Sequence, residues 1–357
     1  MMDFDAITID TSVFKNFGLN LEHSALNAIN TFSKNNITII IPDIIEREIL
    51  SHLIADTLKT QTEALNKLEE LKKYNLLSTL ETDNMINILK QNNISDIVND
   101  RWKLYKKLHK IEIIDSKDIT VNELINDYFE KKPPFSEKKK AEFPDAIAMK
   151  TVKRWAEINN KKVLCFSTDS DWKDYVKNVD NLQYSENITS VLGKLNSDIQ
   201  LSEQIKNKID LVLLAIQCSE QGIEADKDSH LWEDFYEKLE QVLQHKNVEF
   251  CGNMNVDDYS IGLSYFDFSH EKYEILSYDE KEKVIDILIP MTLEYYVYVE
   301  VQSEVNNSNT RYVPSVDCSF DTTAIIQMDF KTDNIIQSVE ITSNKIPVNL
   351  SLLKSGW

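Results

Sequence analysis

The sequence has only four cysteines in 357 residues, and none of them form the CxxC pairs that bind zinc. They are Cys165, Cys218, Cys251 and Cys318. The six histidines also lack the spacing of metal ligands. These absences argue against a cysteine-based zinc site and predict a protein of the reducing cytoplasm.

Long apolar runs are also missing. No stretch approaches the roughly 18–20 apolar residues that cross a bilayer. The segment MMDFDAITID lacks the basic region followed by an apolar one that marks a secretory signal. We therefore expect no membrane partner. Glycine is scarce, with six residues, which predicts few highly flexible loops.

Basic residues are scarce in the second half of the chain, and the net charge of the whole is −20. Residues 200–357 contain 28 acidic and 12 basic residues, a net charge of −16, which leaves −4 for residues 1–199. The C-terminal part would therefore repel a polyanion, whereas clustered lysines would let the N-terminal part bind one. This asymmetry predicts two parts with different roles.

Apolar, β-branched segments alternate with helical segments over the first 195 residues. The predicted strands are AITID, NITIIIP, KIEIID, KKVLCFSTD and NLQYS. The predicted helices include residues 21–33, 44–74, 83–109 and 144–158. Such alternation implies parallel pairing, so residues 1–195 are predicted to form a three-layer α/β domain with a parallel sheet and a helical insertion. The active crevice is expected at the carboxyl ends of the strands.

The pattern changes twice in the second half of the chain. Residues 196–247 have helical periodicity and are predicted to form a helical connector. From residue 248 to residue 357, apolar and polar residues alternate, and short turns such as YDEKEK separate the segments. This alternation is typical of an antiparallel sheet, so we predict an acidic, β-rich C-terminal domain of α+β class.

Carboxylates stand at the ends of the predicted strands or on the neighbouring helices. They are Asp10, Glu46, Glu48, Asp145, Asp169 and Asp171. Taken singly, each has an ordinary explanation: Asp145 in EFPDAIAMK opposes a helix dipole, and Asp169 is a candidate N-cap. At one rim of a parallel sheet, however, they would repel one another unless a hard divalent cation such as Mg²⁺ neutralised them. Sites of this kind hydrolyse phosphodiesters.

The order of ITIDTSVF, IIIPDIIEREI, EFPDAIAM and VLCFSTDSDW resembles the four motifs of a PIN domain, over about residues 5–190. The segment PPFSEKKKAEFPDAIA followed by STDSDW is similar to a bacterial PIN-like subgroup with an extended lysine-rich motif. The resemblance implies a metal-dependent nuclease that uses Mg²⁺ or Mn²⁺ and acts most often on RNA.

The resemblance also implies a role for each acid. The catalytic metal ligands that it implies are Asp10, Glu48, Asp145 and Asp169, with Asp171 as a further ligand. Glu46 is the competitor of Glu48 for the second position. Thr11 and Ser12 would orient the Asp10 carboxylate or bind a metal-bound water, and Ser167 would do the same beside Asp169.

Two lysine-rich stretches are candidates for phosphate binding. RWKLYKKLHK carries Lys103 and Lys107, and its Trp102 and Tyr105 are candidates for stacking on unpaired bases. KKPPFSEKKK precedes the Asp145 motif and carries Lys131, Lys132, Lys138, Lys139 and Lys140. The competing interpretation is an ordinary solvated face with Trp102 in the core.

The leading hypothesis is a metal-dependent endoribonuclease, in RNA processing, as a toxin or in phage defence, with DNA left open as a substrate. The alternative is a non-catalytic PIN-fold protein that binds nucleic acid or serves as a scaffold. A phosphatase with Asp10 as nucleophile is disfavoured, because DTS lacks a second aspartate two residues later. The acidic C-terminal domain is a candidate for homodimerisation, for docking a protein partner, or for restraining the nuclease.

Overall fold

The computed structural model describes residues 4–135, 142–197, 201–220, 229–251, 256, 258–305, 308–312, 315–343 and 345–350. The chain divides into two compact units, Met1–Ile188 and Thr189–Trp357. The boundaries at residues 195 and 247 that the sequence predicts are finer than this division and stay a prediction.

The first unit is built on a five-stranded parallel sheet. Its strands are β1 (Ala6–Ile9), β2 (Thr38–Pro42), β3 (Ile111–Ile114), β4 (Val163–Phe166) and β5 (Leu182–Ser185). They lie in the order β3-β2-β1-β4-β5. The short apolar runs that predicted strands β1, β2 and β4 are buried, as expected for strands covered on both faces. The predicted α/β class is confirmed.

Helices fill the connections between these strands. They are α1 (Thr11–Asn16), α2 (Ser24–Asn27), α3 (Asn30–Lys34), α4 (Asp43–Lys73), α5 (Thr79–Gln91), α6 (Ile94–His109), α7 (Val121–Glu130), α8 (Phe143–Asn159) and α9 (Ser170–Val176). The chain runs from β1 outward through β2 to β3 and then returns to β4 on the other side of β1. This reversal of direction opens a crevice at the carboxyl ends of β1 and β4.

Two predicted helices are each divided in the structure. The segment predicted at 21–33 forms the short helices α2 and α3. The segment predicted at 83–109 is interrupted at Asn92 and Asn93, and the Asn93 side chain accepts hydrogen bonds from the backbone N–H groups of Ser95 and Asp96. An asparagine that caps a new helix in this way competes with continuing the old one, which is why periodicity alone missed the break.

The second unit combines helices with two sheets. Its helices are α10 (Ile188–Leu195), which begins at the unit boundary, α11 (Glu203–Glu220) and α12 (Ser229–Gln244). Its strands are β6 (Asn247–Cys251), β7 (Asp258–Phe268), β8 (Glu274–Asp279), β9 (Val284–Val305), β10 (Ser308–Tyr312), β11 (Ser315–Asp329), β12 (Ile336–Ile341) and β13 (Lys345–Asn349). The larger sheet is antiparallel, as predicted, whereas β6 and β13 form a separate parallel pair.

Strand β9 organises the larger sheet of this unit. It has 22 residues and pairs with β7, β8, β10 and β11. The sequence predicted two strands here, KVIDILIPM and EYYVYVEV, but a single strand continues through Pro290, whose side chain is exposed. One core contains apolar side chains of α11, α12 and the sheet, such as Ile209, Phe235 and Leu293. The helices are therefore part of the same packed unit as the sheet.

No helix within the described ranges is both long enough and apolar enough to span a bilayer.

Trp102 of α6 provides a test of the packing in the first unit. It is 2% exposed, and its ring lies 5.8 Å from Phe14 and 5.6 Å from Tyr105, centroid to centroid. We expect Trp102→Ala to lower the free energy of unfolding by about 3–5 kcal/mol, because it removes a large buried side chain. Denaturant unfolding would measure this loss. Lys103→Ala, one residue along and exposed, should change stability by less than about 0.5 kcal/mol, and equal losses would contradict the packing.

Candidate functional site

Asp10 lies at the carboxyl end of β1, where it caps α1. Its side chain accepts hydrogen bonds from the Ser12 backbone N–H (3.3 Å), the Ser12 hydroxyl (2.5 Å) and the Ser167 hydroxyl (2.9 Å). The residue is only 6% exposed. Burial raises the pKa of Asp10, the serine hydrogen bonds oppose this rise, and the nearby Glu48 charge adds to it.

The two serines join the ends of β1 and β4. The Ser12 and Ser167 hydroxyl oxygens lie 3.2 Å apart. The Thr168 backbone N–H donates to Ser12 Oγ at 3.0 Å, and the Asp169 backbone N–H donates to Ser167 Oγ at 3.0 Å. These bonds orient Asp10 and hold the loop after β4 beside it. The sequence predicted that Ser12 would orient Asp10, whereas it predicted Asp169 as the carboxylate that Ser167 would orient.

Glu48 approaches the same rim from α4. Its carboxylate accepts hydrogen bonds from the Thr11 hydroxyl at 3.0 Å and from Lys15 Nζ at 3.2 Å. His52, one helical turn further on, places Nε2 3.4 Å from Glu48 Oε1. Thr11 thus orients the Glu48 carboxylate, whereas the sequence predicted that it would orient Asp10. The contacts with Lys15 and His52 were not identified from the sequence.

Glu46 faces the opposite flank of α4. Residues two apart on a helix lie roughly 200° apart around its axis, so Glu46 and Glu48 cannot point at one site. The Glu46 carboxylate accepts hydrogen bonds from Trp102 Nε1 at 2.8 Å and from Lys106 Nζ at 2.5 Å, both on α6. The structure therefore places Glu48 beside Asp10 and uses Glu46 to join α4 to α6.

Asp145 lies in the first turn of α8, directly after Pro144, and is half-buried. Burial is the largest cause that raises the pKa of Asp145 to about 8, followed by a hydrogen bond with Glu142. The charges of Asp10, Glu142 and Glu48 raise it further. Asp145 therefore lies within electrostatic reach of two carboxylates that are remote from it in the sequence.

Glu142 is an additional acid that the sequence analysis missed. It is the N-cap residue of α8, and its carboxyl group shares a hydrogen bond with that of Asp145. The signal in the sequence is an acid three residues before Asp145, the spacing that brings side chains together at the start of a helix.

Asp169 and Asp171 lie in the turn after β4. Asp169 caps α9 by accepting a hydrogen bond from the Asp171 backbone N–H at 2.9 Å, and Asp171 is buried. Burial and then Glu186 raise the pKa of Tyr184, and the charges of Asp169 and Asp10 add to this rise. Asp169 and Asp10 thus both lie near Tyr184, but a ligand role for Asp169 or Asp171 stays a prediction.

Comparison of the sequence with known protein families identifies the family of the first unit. Residues 7–172 match the family model of the PIN domain. The first unit is a PIN domain. No curated protein and no solved structure matches the chain. The PIN domain is a nuclease-type fold whose members generally use divalent metals, and the match includes all four motifs on which the resemblance was recognised.

The donor atoms of the PIN domain rim suit a hard divalent cation, because they are carboxylate and hydroxyl oxygens. Asp10, Glu48 and Asp145 would hold such an ion. Burial and neighbouring carboxylates raise the pKa of Asp10 and of Asp145, and a cation would neutralise the negative charge that contributes to this rise. In the parts of the chain that the structure describes, no three His, Cys, Asp or Glu side chains already stand close enough to hold a metal. An ion held by one or two of these carboxylates would complete its coordination with waters and substrate phosphates.

The predicted phosphate-binding lysines are found in different settings. Lys103 and Lys107 are exposed on α6, and Lys131 is exposed at the end of α7. Lys132 pairs with Glu130 at 2.5 Å. Three further lysines lie outside the described residues: Lys138, Lys139 and Lys140.

The two aromatic rings of RWKLYKKLHK are buried, so the expectation that they stack on unpaired bases is wrong. Trp102 is 2% exposed, and Tyr105 is 5% exposed with its hydroxyl donating to the Leu26 carbonyl at 3.0 Å. Their spacing along α6 places them on its core face, while Lys103 and Lys107 point outward.

Asp145 predicts a pH dependence of stability for the metal-free protein. Its folded pKa of about 8 exceeds its ordinary value of 3.8, so the folded state binds more protons between these values and stability falls as pH rises from about 4 to about 8. Asp145→Asn should remove part of this fall. At pH 8.5 the variant should be more stable than wild type by about 1–2 kcal/mol, a range that allows for solvent screening of a half-buried group.

Urea unfolding at pH 4.5 and at pH 8.5, with a chelator present, measures this difference. Glu112→Gln, which removes an exposed carboxylate on β3, is the matched control and should leave the pH dependence unchanged. Parallel pH profiles for wild type and Asp145→Asn would contradict the prediction.

Proposed function

We propose that the protein is a metal-dependent endoribonuclease that hydrolyses phosphodiester bonds at the PIN domain rim. The observation that supports this most directly is the approach of Asp145 to Asp10 and Glu48. Burial and the hydrogen bond with Glu142 raise the pKa of Asp145, and the charges of Asp10 and Glu48 add to that rise. Asp10, Glu48 and Asp145 come from three separate motifs and lie within electrostatic reach of one another, at the end of the sheet where α/β proteins bind their ligands.

The proposed cofactor is Mg²⁺ or Mn²⁺, held by Asp10, Glu48 and Asp145, with Asp169 and Asp171 as further candidates. When bound, such an ion supplies an activated water and stabilises the charge that develops on the phosphate. The residues of the chain prepare the site: Ser12 and Ser167 fix the Asp10 carboxylate, and Thr11 fixes that of Glu48.

The proposed substrate is RNA, bound through its phosphates by exposed lysines. Lys103, Lys107 and Lys131 are the described candidates, and Lys132 would have to exchange its pairing with Glu130 for a phosphate. Because the rings of α6 are buried, phosphate contacts and not base stacking would supply the affinity at this helix, so binding should weaken strongly with salt.

Metal binding should be visible in thermal stability. We expect millimolar Mn²⁺ to raise the melting temperature of wild type, because a ligand that binds only the folded state stabilises it by mass action. Asp10→Asn and Asp145→Asn should lose most of this rise, and Glu112→Gln should retain it. Equal rises in all four proteins would mean that the ion binds elsewhere.

Cleavage of a single-stranded RNA labelled with a fluorophore and a quencher tests the activity. With Mn²⁺ present, Asp10→Asn and Asp145→Asn should cleave at least about 100-fold more slowly than wild type, because each loses a group that holds the charge-stabilising ion. Glu112→Gln should cleave like wild type. A matched DNA and a small phosphate monoester, assayed in parallel, distinguish a ribonuclease from a general nuclease and from a phosphatase.

The alternative is a non-catalytic PIN-fold protein that binds nucleic acid. One observation favours it: the Glu48 carboxylate is already paired with Lys15 and lies beside His52. Such contacts neutralise the carboxylate without a metal ion. A wild-type protein that binds the labelled RNA but leaves it intact, with and without Mn²⁺, would support this alternative over the nuclease.

A further inference from the structure

One face of the large sheet in the second unit has an unusual composition. It is formed by four residues of β9 together with the residues of β7 and β11 that lie directly opposite them. The four residues of β9 are Thr292, Glu294, Tyr296 and Tyr298. Directly opposed residues of an antiparallel sheet project from the same face, so twelve side-chain positions form one surface, which we call the outer face.

The other side of the same strands faces the core. Leu293, Tyr295 and Val297 alternate with the outer-face residues of β9 and are at most 1% exposed. Their cluster includes Phe235 and Leu239 of α12. By contrast, Tyr298 is 44% exposed. The helices therefore cover one side of the sheet here, and the outer face is open.

The outer face carries four acids and no base among its twelve described positions. The acids are Asp267, Glu294, Asp317 and Asp321. A solvated sheet face is ordinarily stabilised by opposite charges across strands, and like charges close together destabilise it. The Thr292 hydroxyl donates a hydrogen bond to Asp321 at 2.7 Å, which compensates one of these charges in part. A cationic partner would relieve this repulsion.

Three tyrosines lie among these acids: Tyr265, Tyr296 and Tyr298. The rings of Tyr296 and Tyr298 pack edge to face, with centroids 5.3 Å apart. Gly262, opposite Tyr296, leaves room for the Tyr296 ring, since a Cβ at that position would lie 2.3 Å from the phenol oxygen. The result is a partly exposed aromatic surface, in which the Tyr296 ring lies over Gly262 and carboxylates are neighbours.

We propose that the outer face binds an arginine-rich segment of a partner protein. A guanidinium group stacks on tyrosine rings and at the same time donates paired hydrogen bonds to carboxylates, which a lysine ammonium does not do. Tyrosine is also enriched where proteins bind one another. Nucleic acid does not fit this surface, because the four carboxylates would repel its phosphates.

Fluorescence anisotropy with a labelled nona-arginine peptide tests the proposal on the full chain. The Glu294→Gln/Asp317→Asn double variant should bind the peptide at least about 5-fold more weakly than wild type. The matched control is Glu233→Gln/Glu237→Gln, which removes two exposed carboxylates from α12 and should change the dissociation constant less than about 2-fold. Equal weakening in both double variants would show that net charge alone attracts the peptide and would overturn the proposal.

The aromatic part of the surface has its own control. Tyr298→Ala should weaken binding at least about 3-fold, whereas Tyr259→Ala, an exposed tyrosine on the opposite side of the sheet, should not. A nona-lysine peptide that binds as tightly as nona-arginine would contradict arginine recognition.

Light scattering of the same proteins tests whether a second copy of the chain occupies the outer face instead. If wild type is a dimer and the Glu294→Gln/Asp317→Asn variant is a monomer, a second copy binds this face, and the proposal would fail.

Discussion

The candidate site depends on the burial of one carboxylate, that of Asp10. Taking a charged group out of water is costly unless hydrogen bonds replace its hydration. Ser12 and Ser167 supply them, and because one lies on α1 and the other follows β4, the same bonds join the two strand ends where the chain changes direction. The hydrogen bonds from Ser12 and Ser167 therefore both orient the Asp10 carboxylate and hold the two sides of the crevice together.

Like charges around Asp10 create the second constraint. Two of the acids near it have compensating contacts: Glu48 pairs with Lys15, and Asp145 shares a hydrogen bond with Glu142. These contacts lower the cost of assembling carboxylates before an ion arrives. They would also have to be exchanged for metal contacts, so the same interactions that stabilise the metal-free fold would oppose metal binding.

The second unit separates packing from surface chemistry along a single strand. The alternation in β9 sends Leu293, Tyr295 and Val297 into the core that it shares with α12, and sends Glu294, Tyr296 and Tyr298 to the outer face. A change of register by one residue would exchange these two sets, so the buried set fixes the position of the exposed one. The proposed binding surface is thus a consequence of core packing.

The sequence by itself determined the parts of this protein that depend on local pattern. Short apolar runs predicted the buried parallel strands, and alternation of apolar and polar residues predicted the antiparallel sheet. The four PIN motifs place acids at strand ends and helix starts. Only the tertiary structure decided which partner each side chain meets. The resemblance favours Glu48 over its competitor Glu46, but the sequence does not show that Trp102 and Lys106 of α6 bind Glu46 and that Thr11 binds Glu48. Choices of this kind rest on contacts between residues remote along the chain, and no local pattern contains them.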